Sequence, residues 1–411
     1  MNKNVIIIGG GASGLFFAYV ARKYNKNLNI TILEANKEAG KKILMTGNGR
    51  CNLANTNLST DNFYCSDKKF IDNILKKCSV DCIVDIFNEI GVMVTDKSGY
   101  LYPKSMQAHT VRNALVSACI LNGVKIIYEE KVTDVKYNGK FQVTSSKNKY
   151  TSDYVVLSYG TNAGLKGDDT SLLNKCFQKS GQKITDILPA LCSIYVKTNK
   201  KMSEFFKKAS GVRCNIDANI IKSDMKSSGE LQITDYGLSG IVIFQLAHEI
   251  NYKLSRNMKP EIVIDFLPDS QEKDIISFLT CQFEYRKKTL LDLLGGIINN
   301  KLALALINLY NSDNREITPG SKNLPDLELE KIIRFIKNVK FEINKTNDIS
   351  HSQVCSGGFD ISMIDENMHS VINDRLIFTG ECMDVDGICG GYNLYYAWAS
   401  AYIAGRSLEN D

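Results

Sequence analysis

Three glycines near the amino terminus, Gly9, Gly11 and Gly14, have the spacing G-x-G-x-x-G. They follow an apolar run at Val5 to Ile8 and precede a second one at Leu15 to Arg22, which predicts a buried strand, a tight turn and a helix. In such a turn one glycine permits the bend, the next lets a pyrophosphate approach the backbone, and the third lets helix and strand pack closely. The pyrophosphate would lie on the N–H groups at the start of the helix. The spacing therefore indicates a dinucleotide site.

A carboxylate at the end of the next predicted strand supports this interpretation. Leu28 to Leu33 predicts a strand, and Glu34 follows it, twenty residues after Gly14. A carboxylate at that position can hold ribose hydroxyls. A glycine-rich turn without a ligand would not require this residue.

Two further segments carry residues suited to a cofactor. The loop from Ala35 to Asn52 contains three glycines, which allow close approach, and three cations, which can meet phosphate or a flavin carbonyl. These residues are Gly40, Gly47, Gly49, Lys41, Lys42 and Arg50. Near the carboxyl terminus, Leu376 to Asn393 predicts a strand, an acidic loop and a Gly-Gly pair that opens a helix at Leu394 to Leu408. An acid there can hold ribityl or ribose hydroxyls, and the helix dipole can stabilise a reduced flavin ring.

The elements that must position these residues are predicted to form an interrupted α/β fold. At 411 residues and 44% hydrophobic, the chain exceeds one dinucleotide domain. The β-α-β rhythm breaks near Leu191, where short strands mix with helices, one of them predicted at Leu238 to Leu254. We expect a discontinuous Rossmann-like domain, residues 1–192 and 347–411, and an inserted α+β domain, residues 193–346.

Composition excludes several classes of protein. No apolar run is long enough for a membrane span, and the first residues lead directly into a strand, which predicts a cytoplasmic protein without a signal peptide. Twelve cysteines without C-x-x-C pairs, and histidines without ligand spacing, predict reduced thiols and no metal.

Four motifs together resemble the BaiN/YhiN family of FAD-dependent flavoproteins, over nearly the whole chain. They are Gly9-Gly-Gly-Ala-Ser-Gly14, Gly40-Lys-Lys-Ile-Leu-Met-Thr-Gly-Asn-Gly-Arg-Cys-Asn52, Tyr236-Gly-Leu-Ser-Gly240 and Gly380-Glu-Cys-Met-Asp-Val-Asp-Gly-Ile-Cys-Gly-Gly-Tyr-Asn393. The resemblance implies an FAD domain of the two-dinucleotide-binding type, interrupted by a β-barrel-like part and a helical part. The motifs and this resemblance together predict FAD contacts at Gly9, Gly11, Ala12, Ser13, Gly14, Glu34, Lys41, Lys42, Gly49, Arg50, Cys51, Asn52, Val132, Gly380, Asp386, Gly391, Tyr392 and Asn393.

The resemblance also implies an oxidoreductase. Family members are associated with reduction of steroid enones, with amine oxidation and with making dihydrouridine in 23S ribosomal RNA. The first and third reactions add hydride and a proton across a C=C bond conjugated to a carbonyl. We expect FAD chemistry with NAD(P)H as a transient reductant and uridine in 23S ribosomal RNA as substrate. A small-molecule enone reductase or amine oxidase, and a redox-responsive flavin-binding protein without turnover, are the alternatives.

Three features distinguish these alternatives: a basic insert favours RNA, an apolar substrate pocket favours a small molecule, and absence of flavin reduction by NAD(P)H favours the protein without turnover. Residues 197–226 carry eight Lys or Arg against three acids, and residues 286–288 add a basic cluster. Such basic runs usually form an ordinary solvated surface. The more specific alternative is a patch that binds RNA.

The reaction also needs an acid for the α carbon. Cys51 is the first candidate, because a thiol of near-neutral pKa in the cofactor loop could donate a proton. A buried packing role is the more ordinary explanation of Cys51. Tyr102, His109, Tyr236 and Tyr392 are the alternatives.

Overall fold

The computed structural model describes residues 2–164, 170–286, 288–311, 317–322 and 324–410, with the backbone alone at 284–286. The chain divides into two compact units, Met1–Leu188 with Val354–Asp411, and Pro189–Gln353. The sequence placed its domain boundaries after residues 192 and 346, and these stay predictions. Each unit has its own apolar core.

The strands and helices are numbered in chain order. The strands are β1 Lys3–Ile8, β2 Leu28–Leu33, β3 Ala54–Asn55, β4 Phe63–Tyr64, β5 Val94–Lys97, β6 Tyr100–Pro103, β7 Lys125–Ile127, β8 Val132–Asn138, β9 Lys140–Ser145, β10 Lys149–Ser152, β11 Tyr154–Leu157, β12 Leu188–Ala190, β13 Ile194–Val196, β14 Arg213–Ile220, β15 Lys226–Ile233, β16 Gly237–Ser239, β17 Glu261–Asp265, β18 Val339–Thr346, β19 Val354–Ser356, β20 Leu376–Phe378 and β21 Asp386–Gly387. The helices are α1 Ala12–Tyr24, α2 Lys68–Lys77, α3 Val80–Glu89, α4 Ala108–Leu121, α5 Ser171–Lys179, α6 Lys200–Ala209, α7 Ile241–Ser255, α8 Glu272–Arg286, α9 Leu290–Leu294, α10 Asn300–Tyr310, α11 Asp326–Ile336 and α12 Tyr392–Ser407.

The first unit is built on a parallel sheet with strand order β20-β11-β1-β2-β7. Its central strands are apolar without alternation, as in Val5 to Ile8, because both faces of the sheet are covered. Helices α1 and α12 pack together so closely that a Cβ at Gly405 would lie 2.8 Å from Val20 Cγ1. All five strands end at the same edge, which is where open α/β sheets bind ligands.

The second unit contains a closed six-stranded barrel, in the order β13-β16-β15-β14-β17-β18, together with helices. Alternation along β14 places Ile216, Ala218 and Ile220 inside the barrel. The fold is therefore a Rossmann-like FAD-binding domain with a barrel-containing insert, as the sequence predicted.

One predicted element begins in the wrong place. The helix expected from Leu238 begins at Ile241, because Gly237–Ser239 pairs as β16. Gly240 separates the two elements with φ of +99°, a backbone conformation that ends the strand and precedes the helix. Apolar residues at Leu238 and beyond cannot distinguish a short strand from the first turn of a helix.

The structure can be compared with three predictions: no membrane span, no metal site and reduced cysteines. Within the described ranges, no helix is both long and apolar enough to span a bilayer. No group of three or more His, Cys, Asp or Glu side chains there is placed to hold a metal ion. All twelve cysteines lie in those ranges as free thiols.

Candidate functional site

The glycines in the turn after β1 fall into two groups. A Cβ at Gly14 would lie 2.1 Å from Gly9 O, and a Cβ at Gly9, where φ is +100°, would lie 2.7 Å from Ser158 O. These two glycines are required by contacts within the protein. At Gly11 the nearest protein atom to a Cβ is Ser158 O at 3.9 Å, and φ is an ordinary −79°. Space is therefore open in front of Gly11.

Helix α1 begins at that open space without any compensating group. No side chain caps its first N–H groups, and its first turn contains no acidic residue. Unpaired N–H groups and the helix dipole together favour an anion at this position. The residues present therefore fit a pyrophosphate, and its binding here stays a prediction.

Glu34 lies at the end of β2 and is 7% exposed. Its Oε2 accepts a hydrogen bond from Gly10 N at 2.8 Å. Its Oε1 accepts bonds from Asn36 N at 2.8 Å and Asn36 Nδ2 at 2.7 Å. The carboxylate therefore ties the glycine turn to β2 and keeps acceptor capacity for a hydroxyl.

The segment before β8 runs beside Glu34. Glu130 N donates to Glu34 O at 2.9 Å, and Glu129 N donates to Asn36 O at 3.1 Å. Val132, a predicted FAD contact, follows as a buried residue at the start of β8. The structure thus brings the backbone near Val132 to the Glu34 end of the sheet.

The ends of β11 and β20 are joined by hydroxyl groups. Ser158 Oγ and Thr379 Oγ1 are 2.6 Å apart, and Ser13 Oγ donates to Thr379 O at 3.3 Å. A Cβ at Gly380 would lie 2.6 Å from Ser13 Oγ, so only glycine fits there. Among the predicted contacts, the side chain of Ser13 is therefore used to hold α1 against the Thr379–Gly380 turn.

An ion pair connects two motifs that are far apart in the sequence. Lys42 Nζ lies 2.6 Å from Glu381 Oε2, with the two side chains 31% and 22% exposed. Glu381 Oε1 accepts from Thr161 Oγ1 at 2.8 Å and from Cys355 N at 3.3 Å. This cluster, Lys42, Thr161, Cys355 and Glu381, joins the cofactor loop to the ends of β11 and β20. The sequence motifs contain Lys42 and Glu381, but they did not predict this cluster or the parts of Thr161 and Cys355 in it, because residues this far apart in the chain produce no spacing signal.

The cofactor loop itself adopts an unusual backbone. Gly47, Asn48, Gly49 and Cys51 all have positive φ, at 54°, 55°, 79° and 60°. Left-handed conformations at Asn48 and Cys51 cost free energy, and such strain is concentrated at functional sites. The exposed side chains of Lys41 and Arg50 flank this segment, and neither has an ion-pair partner in the part of the chain that the structure describes.

The environment of Cys51 differs from the expectation. The residue is fully buried, and this burial raises the pKa of its thiol from 9.0 to about 12, opposed by a hydrogen bond with Thr46. The prediction of a near-neutral thiol was therefore wrong, because no local pattern of residue types indicates that the loop folds inward at this position. The buried packing role is the one that the structure supports.

The carboxyl-terminal segment forms the other side of the sheet edge. Gly391, with φ of +94°, precedes α12, which has neither a side-chain cap nor an acid in its first turn. Asn393 Oδ1 accepts from Gly387 N at 2.8 Å, and Asn393 Nδ2 donates to Gly387 O at 2.7 Å. The side chain of Asn393 therefore shapes the preceding loop. Asp386 is buried on β21, where it pairs with Tyr64.

Asn52 marks the junction between the two loops. A Cβ at Gly391 would lie 2.8 Å from Asn52 Oδ1, and this oxygen is buried without a hydrogen-bond partner among the described residues. A buried amide oxygen without a partner is an acceptor available to a ligand donor. Together with the open space at Gly11 and the carboxylate of Glu34, it shows that these residues fit an extended dinucleotide cofactor.

The alternative acid candidates lie in different surroundings. His109 is exposed on α4, and Tyr102 is half-buried on β6. Tyr392 is buried, and its hydroxyl donates to Asn57 O at 3.3 Å. Tyr236 belongs to the second unit.

Cys51→Ala should change the pH dependence of stability. The folded protein favours the neutral thiol of Cys51. The stabilisation from this preference is therefore complete below about pH 8.5, the pKa of the thiol in the unfolded chain. That contribution is lost as the pH rises from there toward about 12. Urea unfolding at neutral and alkaline pH should therefore show a smaller alkaline loss in Cys51→Ala than in the wild type. Equal losses in both proteins would contradict this assignment, and Cys281→Ala, at an exposed thiol, is the control.

Glu381→Ala should lower the free energy of unfolding by about 2 kcal/mol, because it leaves three donors of the Lys42 cluster without their acceptor. The matched control is Glu38→Ala, which breaks the Glu38–Arg112 pair, 2.7 Å long with Glu38 67% exposed. An exposed pair contributes about 0.5 kcal/mol. Denaturant titration of both variants measures the difference, and equal effects would show that the cluster has no special structural role.

The fold and this edge define a class, the FAD-binding flavoproteins with a Rossmann-like domain. Residues 3–407 match the family described as HI0933-like protein Rossmann domain, and the chain belongs to that family. The family resemblance read from the four motifs is thereby confirmed.

Relatives of known name cover nearly the full length of the chain. It is 34% identical to a 3-dehydro-bile acid delta(4,6)-reductase of Clostridium scindens, over 98% of each chain. It is 24% identical to a ribosomal RNA dihydrouridine synthase of Haemophilus influenzae, again over 98% of each.

Solved structures share the fold. A 3-ketosteroid delta1-dehydrogenase of Sterolibacterium denitrificans matches with a TM-score of 0.53 at 11% identity, over 100% of both chains. The E. coli quinol fumarate reductase FrdA matches with a TM-score of 0.50 at 12% identity, over 100% of this chain and 70% of that one. At these identities the likeness shows the fold alone.

Proposed function

We propose that this protein is an FAD-dependent reductase that saturates a C=C bond conjugated to a carbonyl group. Two observations carry the proposal. The open space at Gly11 and the carboxylate of Glu34 fit a dinucleotide cofactor, and 98% of the chain aligns with a 3-dehydro-bile acid delta(4,6)-reductase. The other named relative makes dihydrouridine, which is also formed by saturating a C=C bond next to a carbonyl. A shared reaction thus connects relatives with different substrates.

The residues that would hold FAD lie along one edge of the sheet. The start of α1, with Gly11, would bind the pyrophosphate, and Glu34 would accept from ribose hydroxyls. The start of α12 and the oxygen of Asn52 would meet the ring end of the cofactor. When bound, FAD supplies the hydride that the reaction requires.

The chain itself must supply the other components of the reaction. Glu381 holds Lys42 at the edge of the sheet, where its ammonium would donate a hydrogen bond to the substrate oxygen. A proton for the α carbon requires a donor with a labile hydrogen. We do not assign this role to Cys51, because its thiol is fully buried and packs within the loop.

For the electron donor we propose NAD(P)H, bound transiently. The chain has one G-x-G-x-x-G, and in the described ranges it has a single parallel sheet, which leaves no separate nicotinamide domain. Anaerobic mixing with NADPH should bleach the flavin absorbance, and calorimetry should detect no tight complex. Absence of bleaching with either nicotinamide would favour the redox-responsive protein without turnover.

The first substrate class to test is a cyclic small-molecule enone, because the higher identity is to the bile acid reductase. The reduced enzyme should be mixed anaerobically with a 3-oxo-4-ene bile acid, and the product analysed by mass spectrometry. Formation of the saturated ketone supports this substrate class. If the enone is not reduced, and amines instead reduce the oxidised enzyme, the chemistry is that of an amine oxidase.

A uridine in 23S ribosomal RNA is the second candidate, favoured by unpaired lysines on the second unit. Lys200 and Lys207 are exposed and seven residues apart on α6, on the side away from buried Phe205 and Phe206. In the same unit, Lys197, Lys208 and Arg213 form ion pairs with acids. Of the basic cluster at 286–288, Lys287 and the side chain of Arg286 lie outside the described residues.

Replacing both Lys200 and Lys207 with Glu should weaken binding of a 23S RNA fragment, because cations on one helical face can neutralise phosphates. The slope of log K against log salt should fall by about 2, roughly one for each phosphate that is no longer neutralised. Filter binding at several salt concentrations measures this slope. The control variant carries Lys273→Glu and Lys301→Glu, two other exposed lysines of the unit. Equal slopes in the two variants would contradict an RNA surface on α6.

A further inference from the structure

The Tyr236-Gly-Leu-Ser-Gly240 motif belongs to the second unit, where it forms a rigid turn on the barrel. Thr234 N donates to Gly237 O at 2.9 Å, and Gly237 N donates to Thr234 Oγ1 at 3.0 Å. A Cβ at Gly237 would lie 2.1 Å from Ile194 O, so only glycine lets the turn lie against β13. The turn therefore holds Tyr236 in a fixed position beside that strand.

Tyr236 stacks on Tyr195, whose ring is also covered by a cation. The two ring centroids are 4.5 Å apart with an interplanar angle of 28°. Lys345 Nζ lies 4.5 Å from the centroid of the Tyr195 ring. Because β16 and β18 flank β13 on opposite edges, Tyr236 and Lys345 approach Tyr195 from opposite sides. The three side chains form a column, Lys345–Tyr195–Tyr236, which we name the aromatic column.

The column has recognition groups that the fold does not use. Tyr195 and Tyr236 are half-buried, and neither hydroxyl has a hydrogen-bond partner in the part of the chain that the structure describes. The exposed ammonium of Lys345 has no carboxylate partner there either. By contrast, Lys197 and Arg213 of the same barrel are neutralised by Glu342 and Glu230.

We propose that the aromatic column is a substrate-recognition site for a planar conjugated ring that carries an anionic group. The ring stacks on the outer face of Tyr236, a phenol hydroxyl donates to its carbonyl, and Lys345 attracts the anion. This proposal rests on the proposed enone reduction, since such a substrate is planar around its conjugated carbonyl and loses planarity when saturated. The same chemistry could come from a bile acid carboxylate or from uridines in RNA.

Calorimetry on the purified oxidised full-length protein tests the proposal with two probes, a 3-oxo-4-ene bile acid and the trinucleotide UpUpU. At least one probe should bind, and the one that does identifies the source. Tyr236→Ala should weaken its binding by about tenfold or more, because a stacking face is removed. Tyr236→Phe, which keeps the ring, should weaken it by at most about fivefold. Lys345→Gln should weaken the anionic probe but not its uncharged counterpart, the bile acid methyl ester or uridine.

The controls use the same unit. Tyr252→Ala removes an aromatic ring that packs against Arg256 on α7, and Lys340→Gln removes another exposed lysine of β18. Both should bind the probes like the wild type, and thermal melts confirm folding of every variant.

If Tyr236→Ala and Lys345→Gln bind normally while the enone is still reduced, the column is not the recognition site. If neither probe binds the wild-type protein, the proposal is overturned. If binding shows the expected losses but no substrate is reduced, the site stands and the proposed function fails.

Discussion

Gly11→Ala should leave the protein folded and remove most of its bound FAD. A Cβ at Gly11 has no protein atom closer than 3.9 Å, and φ of −79° is ordinary for alanine. The new methyl group would instead enter the space where a pyrophosphate approaches the backbone. We expect FAD affinity to fall by about tenfold or more, with a free energy of unfolding of the FAD-free protein within about 1 kcal/mol of wild type. Calorimetric titration with FAD and urea unfolding measure the two quantities.

The matched variant at the third glycine should behave in the opposite way. In Gly14→Ala the Cβ would lie 2.1 Å from Gly9 O, a backbone atom that cannot rotate away. We expect a loss of about 3 kcal/mol or more in stability, and little folded protein. Equal FAD affinity in Gly11→Ala and the wild type would contradict a cofactor at this turn.

Glu34→Arg is the second substitution with a large expected effect. Glu34 is 7% exposed, and its carboxylate accepts from Gly10 N and from both nitrogens of Asn36. An arginine would leave these donors unpaired and place a cation in a buried position, at a cost of about 3 kcal/mol or more. It would also remove the acceptor for the ribose hydroxyls. Flavin content after desalting, read from the visible absorbance, should fall to near zero.

Two further variants separate the loss of flavin caused by the missing ribose acceptor from the loss caused by unfolding. Glu34→Gln keeps the shape and one acceptor oxygen, so it should fold and bind FAD more weakly than the wild type. Lys37→Glu, on the same exposed loop, should retain the full flavin content. A Glu34→Arg protein that folds and purifies with as much FAD as the wild type would show that the carboxylate does not hold the cofactor.

The parts of this site that could be predicted from sequence are the local ones. Gly9, Gly14 and Glu34 belong to a strand, turn and helix that are contiguous in the chain, so their spacing carries the information. The buried strand at Val5 to Ile8 was predicted for the same reason, because an apolar run without alternation identifies a strand covered on both faces.

The parts that escaped prediction depend on contacts between distant segments. Glu381 meets Lys42 only because the ends of β11 and β20 adjoin the cofactor loop in three dimensions. The loop that buries Cys51 has left-handed backbone at Gly47, Asn48 and Cys51 itself. Asn and Cys side chains do not indicate such a conformation in the sequence, whereas glycine can. The aromatic column likewise joins β13, β18 and the turn before β16, and no local pattern relates them.

The central claim is that FAD bound to this protein reduces a C=C bond conjugated to a carbonyl. The most direct measurement is an anaerobic single turnover. The purified protein is photoreduced without nicotinamide, mixed with a 3-oxo-4-ene bile acid or with 23S ribosomal RNA from a deletion strain, and followed by flavin absorbance and product mass spectrometry. We predict that the oxidised flavin spectrum returns with one of these substrates, and that one saturated ketone or one dihydrouridine forms for each flavin. A flavin that stays reduced with both substrates until oxygen is admitted, or a protein that releases no FAD on denaturation, would contradict the claim.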